Sequence, residues 1–171
     1  MKTYIVTLSK TFLKGHPRAG EPTYFAEKFF KGQGKYRAEI DEEFGRLLIP
    51  KIHTMRANYG MWAKRIAEVQ RGEAILSVRV WSGAPYRSAQ VTLANLDHTS
   101  GLGVQELRFM SKSIYSPYIG PIDEYTVSIN FSDRKILSDN DGLSLDDWQD
   151  WFASYDLSEP MALIHFTPFR Y

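Results

Sequence analysis

Cysteine is absent from this chain of 171 residues. The protein therefore cannot form a disulfide or a metal site built on cysteine. Long apolar runs are missing as well. No stretch approaches the roughly 18 apolar residues of a membrane-spanning helix, and the apolar-leaning start after Met1 is too short for a secretory signal. We therefore expect a soluble, cytoplasmic protein with no membrane partner.

Neither sign of charge is in large excess, because 21 basic and 20 acidic residues leave a net charge of +1. A protein that binds many phosphates usually carries a larger positive excess. The charges are unevenly placed, however. Residues 46–71 are mainly basic among their charged positions, whereas residues 139–159 contain acidic side chains and no Lys or Arg. This distribution favours a local anion site over a long nucleic-acid track.

Glycine-rich phosphate loops are also lacking, which argues against an enzyme built on a nucleotide-binding fold. The histidines do not cluster in the sequence; they are His16, His53, His98 and His165. Metal sites usually draw on ligands at short, characteristic spacings. We therefore predict no metal and no other cofactor.

The apolar and aromatic contents, 43% and 14%, are those of a folded chain, and its length suits one domain. Alternating and β-branched residues predict strands, and helical spacing between turn-forming residues predicts helices. The predicted strands cover residues 4–8, 74–81, 90–96, 104–110, 125–131 and 161–166, with helices at 23–32, 41–48, 58–71 and 144–154 and loops at 15–22 and 116–121. Thr23, Asn58 and the segment 141–144 are the predicted helix caps.

This order of elements predicts an α+β fold. Short connections between strands favour a small mixed or antiparallel β-barrel of five to six strands, flanked by about three helices, over a doubly wound sheet. We expect residues 1–171 to form a single domain.

The stretch from Lys51 to Arg56, just after Pro50, carries the most chemistry. It places an amine, the hydroxyl of Thr54 and a guanidinium at the mouth of a strand. An amine beside a hydroxyl can generate a nucleophile, and a guanidinium can hold an anion or a carbonyl edge. The alternative is a strand with solvated charges. Since side chains alternate along a strand, Lys51 must come from the preceding loop if it is to share a cavity with Thr54 and Arg56.

Lys51, Thr54 and Arg56 form the pattern KxxTxR, and here the chain resembles the ASCH family, a branch of the PUA-like β-barrels. The resemblance covers residues 23–56, 73–97 and 139–171. It includes the strand ending at Trp81, its hairpin partner, the late amphipathic helix and the closing strand. It departs from the compact bacterial members in an insertion at residues 98–138, which would form a lid or a surface for a protein partner, and in a longer spacer at 41–49.

Small bacterial ASCH proteins hydrolyse N4-acetylcytidine, and the resemblance implies site residues here. In that family a Lys and a Thr of the motif are implicated in amide hydrolysis together with an acidic residue before the late helix. Matching the helix start at residues 142–145 places Asp141 at the acidic position, where the family has Glu. The implied catalytic set is Lys51, Thr54 and Asp141, with Arg56 holding a ring edge or a phosphate.

Aromatic residues and His53 have two interpretations each. Trp81 and Tyr86 flank a hairpin turn and could stack on a base, although aromatic residues at strand ends commonly pack in the core or its rim. Three other tryptophans at helical spacings, Trp62, Trp148 and Trp151, are interpreted as core residues. His53 lies on the other strand parity from Thr54, which favours a structural role over proton transfer.

Three functions therefore remain open on the sequence. The first is a binding module for a nucleobase, a nucleoside or an RNA element in a groove at the KxxTxR motif. The second is an amidohydrolase acting on an acylated pyrimidine nucleoside such as N4-acetylcytidine. The third is a structural or regulatory protein with a vestigial site, since a fold alone does not determine a function.

Overall fold

The structure is a computed structural model that describes residues 1–35, 42–120 and 131–171. Within these ranges the chain forms seven strands and five α-helices. In order they are β1 (Lys2–Leu8), α1 (Phe25–Gly32), α2 (Glu42–Leu47), β2 (His53–Arg56), α3 (Tyr59–Gln70), β3 (Ala74–Trp81), β4 (Gln90–Leu96), β5 (Gly103–Phe109), β6 (Pro117–Ile119), α4 (Phe131–Asn140), α5 (Leu145–Phe152) and β7 (Met161–His165).

The strands form two sheets. One has the order β1-β3-β4, in which β1 runs parallel to β3 and β3 forms an antiparallel hairpin with β4. The other has the order β2-β7-β5-β6 and is antiparallel throughout. The α+β class is therefore confirmed. Among the described residues no strand pairing joins the two sheets, and there are more strands and helices than the sequence predicted.

A single hydrophobic core lies between these elements. Sheet β1-β3-β4 contributes alternate residues such as Val6 and Leu8, as expected for a strand with one buried face. β7 is buried along its whole length, which fits its continuous apolar run and its place between two neighbouring strands. Trp148 of α5 is fully buried beside Met55 of β2, to whose sulfur its indole N–H donates.

Most of the predicted helix starts and strands agree with the structure. Asn58 caps α3 by accepting from the backbone N–H of Met61 at 3.1 Å, and Ser144 caps α5 in the same way. Thr23 is not the N-cap of α1, which is Tyr24 in the left-handed conformation. The Thr23 hydroxyl donates to the carbonyl of Ser9 and accepts from the N–H of Phe25, the first residue of the helix, at 3.3 Å.

One further prediction was wrong, and another falls mostly on residues outside the described ranges. The segment predicted as a loop at 116–121 contains β6, which pairs with β5. The strand predicted at 125–131 lies outside the described residues except for Phe131, which begins helix α4. Nothing in the sequence analysis indicated α4, whose apolar residues follow no strong helical spacing.

The insertion predicted at residues 98–138 contributes to the central sheet over its described part. β5 lies between β7 and β6, and its residues Leu107 and Phe109 are buried in the core. These strands could not be removed without exposing β7. No helix of the described residues is long and apolar enough to span a bilayer.

Candidate functional site

Lys51 lies just ahead of β2, in a short segment held between α1 and the turn after α4. Its backbone N–H donates to the carbonyl of Lys28 at 2.9 Å, and Ile52 donates to the carbonyl of Asn140 at 2.9 Å. Lys51 and Asp141 also form an isolated antiparallel bridge. The backbone therefore brings positions 51 and 141 together although 90 residues separate them.

The side chains of the same two residues form a buried ion pair. The Lys51 Nζ donates to the backbone carbonyl of Asp141 at 2.7 Å and contacts the Asp141 carboxylate oxygen Oδ1. Only 1% of Lys51 and 2% of Asp141 is exposed to solvent. Burial lowers the pKa of Lys51, an effect opposed by the carboxylate of Asp141. Burial also raises the pKa of Asp141, an effect opposed by the ammonium group.

Gly142 allows the close approach of the turn to Lys51. Its φ is +76°, a region that favours glycine, and a Cβ at this position would lie 3.1 Å from the Cβ of Lys51 and 3.3 Å from Cδ of Lys28. Lys28 secures the turn from the other side, since its Nζ donates to the carbonyl of Gly142 at 2.7 Å. The pair Lys51–Asp141 therefore depends on a glycine and on a second lysine.

An inner cavity of about 160 Å³ lies against this ion pair. Lys51, Thr54, Arg56 and Asp141 all line it. Thr54 is buried, and among the described residues no group is hydrogen-bonded to its hydroxyl. The remaining lining residues are Thr7, Leu8, Ser9, Leu13, Phe25, Leu143, Trp151, Phe152 and Tyr155. The four polar residues expected to share one site therefore do so.

Arg56 reaches across from β2 to β1. One guanidinium nitrogen donates to the carbonyl of Thr7 at 2.6 Å, and the other donates to the carbonyl of Met55 at 3.2 Å. Burial lowers the pKa of Arg56, while the nearby Asp141 opposes that change. Since a guanidinium has more N–H groups than these two bonds use, Arg56 keeps donors for a ligand.

Aromatic rings form much of the cavity wall. The Lys51 Nζ lies over the ring of Phe25, 4.2 Å from the ring centroid. The centroids of the Phe25 and Trp151 rings are 5.6 Å apart. Phe152 and Tyr155 stand next to each other with centroids 5.0 Å apart. Trp151, interpreted as a core residue, is half-buried; it packs against the core and also lines the inner cavity.

Positive charge exceeds negative charge around the inner cavity. Lys28 is a third basic group near the carboxylate of Asp141; burial and the charge of Lys51 lower its pKa to about 8. Lys28 was not among the site residues predicted from the sequence. Its spacing could have indicated it, because Lys28 follows Phe25 by three residues and so lies on the same face of α1.

Trp81 and Tyr86 line a separate, outer cavity of about 540 Å³. It adjoins the inner cavity, since Thr7, Leu8, Ser9 and Leu13 line both. The two aromatic rings are 5.2 Å apart, and Tyr86 is 90% exposed. The structure therefore places these residues beside the ion pair's cavity and not within it.

His53 is buried on the other face of the sheet and does not line the inner cavity. Its Nδ1 lies 3.2 Å from the hydroxyl of Tyr171, and its ring is 5.8 Å from that of His165 on the neighbouring strand. Burial lowers the pKa of His53 well below the usual range. This position fits a structural role. Among the described residues no group of three or more His, Asp or Glu side chains could hold a metal ion.

Comparison with known proteins gives no relative. No protein-family model, no curated protein and no solved structure matches this chain.

Proposed function

We propose that this protein is a PUA-like protein of the ASCH type that binds a nucleobase, as part of a nucleoside or an RNA element, in the inner cavity. One observation carries the proposal: Lys51, Thr54, Arg56 and Asp141, taken from distant parts of the chain, line a single cavity. Convergence of polar groups in a largely apolar cleft is typical of a small-molecule site.

The walls and the polar groups suit a planar heterocycle. Aromatic rings such as Phe25 and Trp151 offer flat apolar surface, on which a base can stack or against which its edge can pack. Arg56 supplies donors in a fork, Thr54 supplies a donor and an acceptor, and Asp141 supplies an acceptor. A base edge presents a comparable set of donors and acceptors. Binding in this cavity therefore recognises both the shape of the ring and the pattern of its edge.

The proposed barrel would be formed by the two sheets together. Its support is the hydrogen bond from Arg56 of β2 to the carbonyl of Thr7 in β1, which links an edge of one sheet to an edge of the other. Arg56 also lines the inner cavity. In this arrangement the seam between β1 and β2 is the ligand groove.

Calorimetric titration of the protein with cytidine and with N4-acetylcytidine tests the binding. Arg56→Lys keeps the charge but not the planar fork, and we expect it to weaken binding about 10- to 100-fold, the effect of losing a charge-assisted hydrogen bond. Arg71→Ala is the control, because Arg71 is exposed and pairs with Glu73 away from the cavity. Equal affinity in the wild type and Arg56→Lys, or no binding of either nucleoside, would contradict the proposal.

Amide hydrolysis is a second candidate function, favoured by one observation. The Lys51–Asp141 pair lies in the same cavity as the Thr54 hydroxyl, which has no hydrogen-bond partner among the described residues. In the proposed reaction a neutral Lys51 amine accepts a proton from Thr54 or from a water molecule. The resulting oxygen nucleophile attacks the amide carbonyl, Arg56 stabilises the developing oxyanion, and the proton taken up by Lys51 passes by way of Asp141 to the leaving nitrogen as the C–N bond breaks. A water nucleophile gives acetate directly. A Thr54 nucleophile gives an acetyl ester, which a water molecule then hydrolyses to release acetate and restore the hydroxyl.

This reaction is tested by incubating the protein with N4-acetylcytidine and measuring the release of acetate by chromatography. Thr54→Val keeps the volume but lacks the hydroxyl, whereas Thr54→Ser keeps the hydroxyl. We expect Thr54→Val to lose at least about 100-fold in rate and Thr54→Ser to retain most of it. A Lys51→Met, Asp141→Leu double variant removes both buried charges without leaving one unpaired, and it should be inactive. No release by the wild type, or a rate indifferent to these changes, excludes the hydrolase.

A further inference from the structure

The hairpin between β3 and β4 holds an aromatic ring in solvent at a conformational cost. Tyr86 has a φ of +63°, a left-handed conformation that residues other than glycine and asparagine rarely adopt. The residue is also 90% exposed, so its ring gains little from burial in the protein itself. A bulky residue kept in this state suggests a use outside the fold.

The turn that carries Tyr86 is braced by its own hydrogen bonds. Ser82 donates to the carbonyl of Ala89 at 2.8 Å, closing the hairpin. Within the turn the Ser88 hydroxyl accepts from the N–H of Gly83 and donates to the carbonyl of Ala84, both at 2.9 Å. These bonds fix the backbone of the turn, and the Tyr86 ring lies beside Trp81 with ring centroids 5.2 Å apart and ring planes inclined at 51°. We call this tilted pair of rings the Trp81–Tyr86 platform.

The Trp81–Tyr86 platform lines the outer cavity, which adjoins the inner one. The wall that the two cavities share consists of the end of β1 and Leu13. A ligand that extends past this wall from the inner cavity would therefore reach the platform with its next group.

Charge distinguishes the two directions in which a ligand could leave the inner cavity. Lys10 is the one charged side chain among the described residues lining the outer cavity, and its Nζ donates to the carbonyl of Ser82 at 3.1 Å. In the other direction, past Tyr155, lies a third cavity lined by Glu106, Asp156 and Glu159, with Arg108 paired to Glu106. A polyanion is attracted towards Lys10 and repelled from the acidic side.

We infer that the ligand is a base within a single-stranded nucleic acid: one base enters the inner cavity, and the neighbouring base stacks on the Trp81–Tyr86 platform while Lys10 contacts the intervening phosphate. This inference rests on the proposed function, whose inner cavity it uses. Aromatic stacking combined with a cation is the usual means of holding a single strand. Since stacking and phosphate contacts do not read the sugar, both RNA and DNA have the required chemistry.

Affinities for a nucleoside and for short oligonucleotides test the inference. The first probe is cytidine or N4-acetylcytidine, whichever binds as a nucleoside. The second is the ribose trinucleotide with that base between two uridines, and the third is its deoxyribose counterpart. The fourth is the ribose trinucleotide from which both flanking bases have been removed. We expect a trinucleotide to bind about 10-fold more tightly than the nucleoside, which is the order of one stacked base. If the ribose and deoxyribose trinucleotides differ in affinity, the tighter one shows which nucleic acid the site prefers. The probe without flanking bases should lose most of this gain.

Variants of the platform separate this inference from the proposed function. Tyr86→Ala should abolish the gain of the trinucleotide and leave nucleoside affinity unchanged, and Lys10→Ala should reduce the salt dependence of trinucleotide binding. The matched control is Tyr115→Ala, since Tyr115 is also an exposed aromatic residue but lines none of the three cavities. Nucleoside binding without any trinucleotide gain, or a gain that Tyr86→Ala leaves intact, overturns the inference alone. Absence of nucleoside binding overturns the proposed function.

Discussion

At the scale of single residues, the most unusual feature is the ion pair between Lys51 and Asp141. Both side chains are almost completely buried, and the pair lines a cavity instead of filling the core. A buried ion pair is weak evidence for stability, because the loss of hydration offsets much of the attraction between the charges. The pair shares its cavity with the Thr54 hydroxyl, which has no hydrogen-bond partner within the described ranges, and this favours a role in ligand binding or chemistry.

His165 provides a prediction about pH. Neither of its ring nitrogens has a hydrogen-bond partner among the described residues, and burial lowers its pKa to about 3. An unfolded histidine has a pKa of about 6.5, so the unfolded state binds more protons between about pH 3 and pH 6.5. The stability that this neutral ring contributes is therefore complete above about pH 6.5 and is lost as the pH falls. Between pH 7 and pH 5 the loss is about 2 kcal/mol.

Urea unfolding at pH 7 and pH 5 checks the role of His165. His165→Phe keeps a flat ring but does not titrate, so it should reduce the change in the free energy of unfolding between the two pH values by about 2 kcal/mol. The pKa of His53 is also lowered by burial, so His53 makes stability fall with pH in the same direction. Part of the pH dependence of stability therefore remains in the His165→Phe variant. Parallel pH profiles for the wild type and His165→Phe would show that His165 does not titrate in this way.

At the scale of secondary-structure elements, helix α3 begins at a residue with two functions. Asn58 caps the helix with its side chain, and its φ of +64° turns the chain from β2 into the helix. Asparagine tolerates this left-handed conformation, whereas alanine does not. Local sequence therefore determined both the start of α3 and the bend before it.

Substitution of Asn58 should separate capping from backbone strain. Asn58→Ala loses the cap and forces an unfavourable φ, so we expect a loss of about 2 kcal/mol in the free energy of unfolding. Asn58→Gly also lacks the cap but accepts a positive φ, and it should cost only a few tenths of a kcal/mol. Urea denaturation measures both variants. Equal losses in the two would show that the left-handed backbone is not a source of the cost.

Helix α1 shows how far local patterns reach. Phe25 and Phe29, four residues apart, lie on its buried face. The predicted cap, Thr23, lies one residue before the N-cap Tyr24, but its hydroxyl accepts from the N–H of Phe25, the first residue of the helix. The same hydroxyl donates to the carbonyl of Ser9, a contact between segments that a local pattern does not show.

At the scale of the whole molecule, the two sheets share one core. The core cluster includes Val6 from one sheet and Leu163 from the other, with Phe29 of α1 and Trp148 of α5. Arg56 adds a hydrogen bond between the sheets at the cavity. Neither sheet therefore has a separate core of its own.

We expect the chain to unfold in a single cooperative transition, in agreement with the predicted single domain. Circular dichroism follows all the helices and strands, whereas tryptophan fluorescence follows α3, β3 and α5, which carry Trp62, Trp81, Trp148 and Trp151. The two signals should give the same urea midpoint, because elements that share a core lose their contacts together. Separate midpoints would indicate two units and would contradict the single-domain prediction.

The sequence by itself determined the elements with clear periodicity and the residues that carry the chemistry. Strand β4 was predicted with its observed bounds, and the KxxTxR pattern together with the resemblance selected Lys51, Thr54, Arg56 and Asp141. Alternation, helical spacing and capping act between near neighbours, so a single chain displays them directly.

Only the tertiary structure decided how distant segments meet. The contact between Lys51 and Asp141, the parallel pairing of β1 with β3, and the place of β5 beside β7 all join residues that are far apart in the chain. The same is true of Trp151, which lines the inner cavity together with residues from β1 and α1. Such contacts arise from the burial and packing of the entire core, which local patterns do not encode.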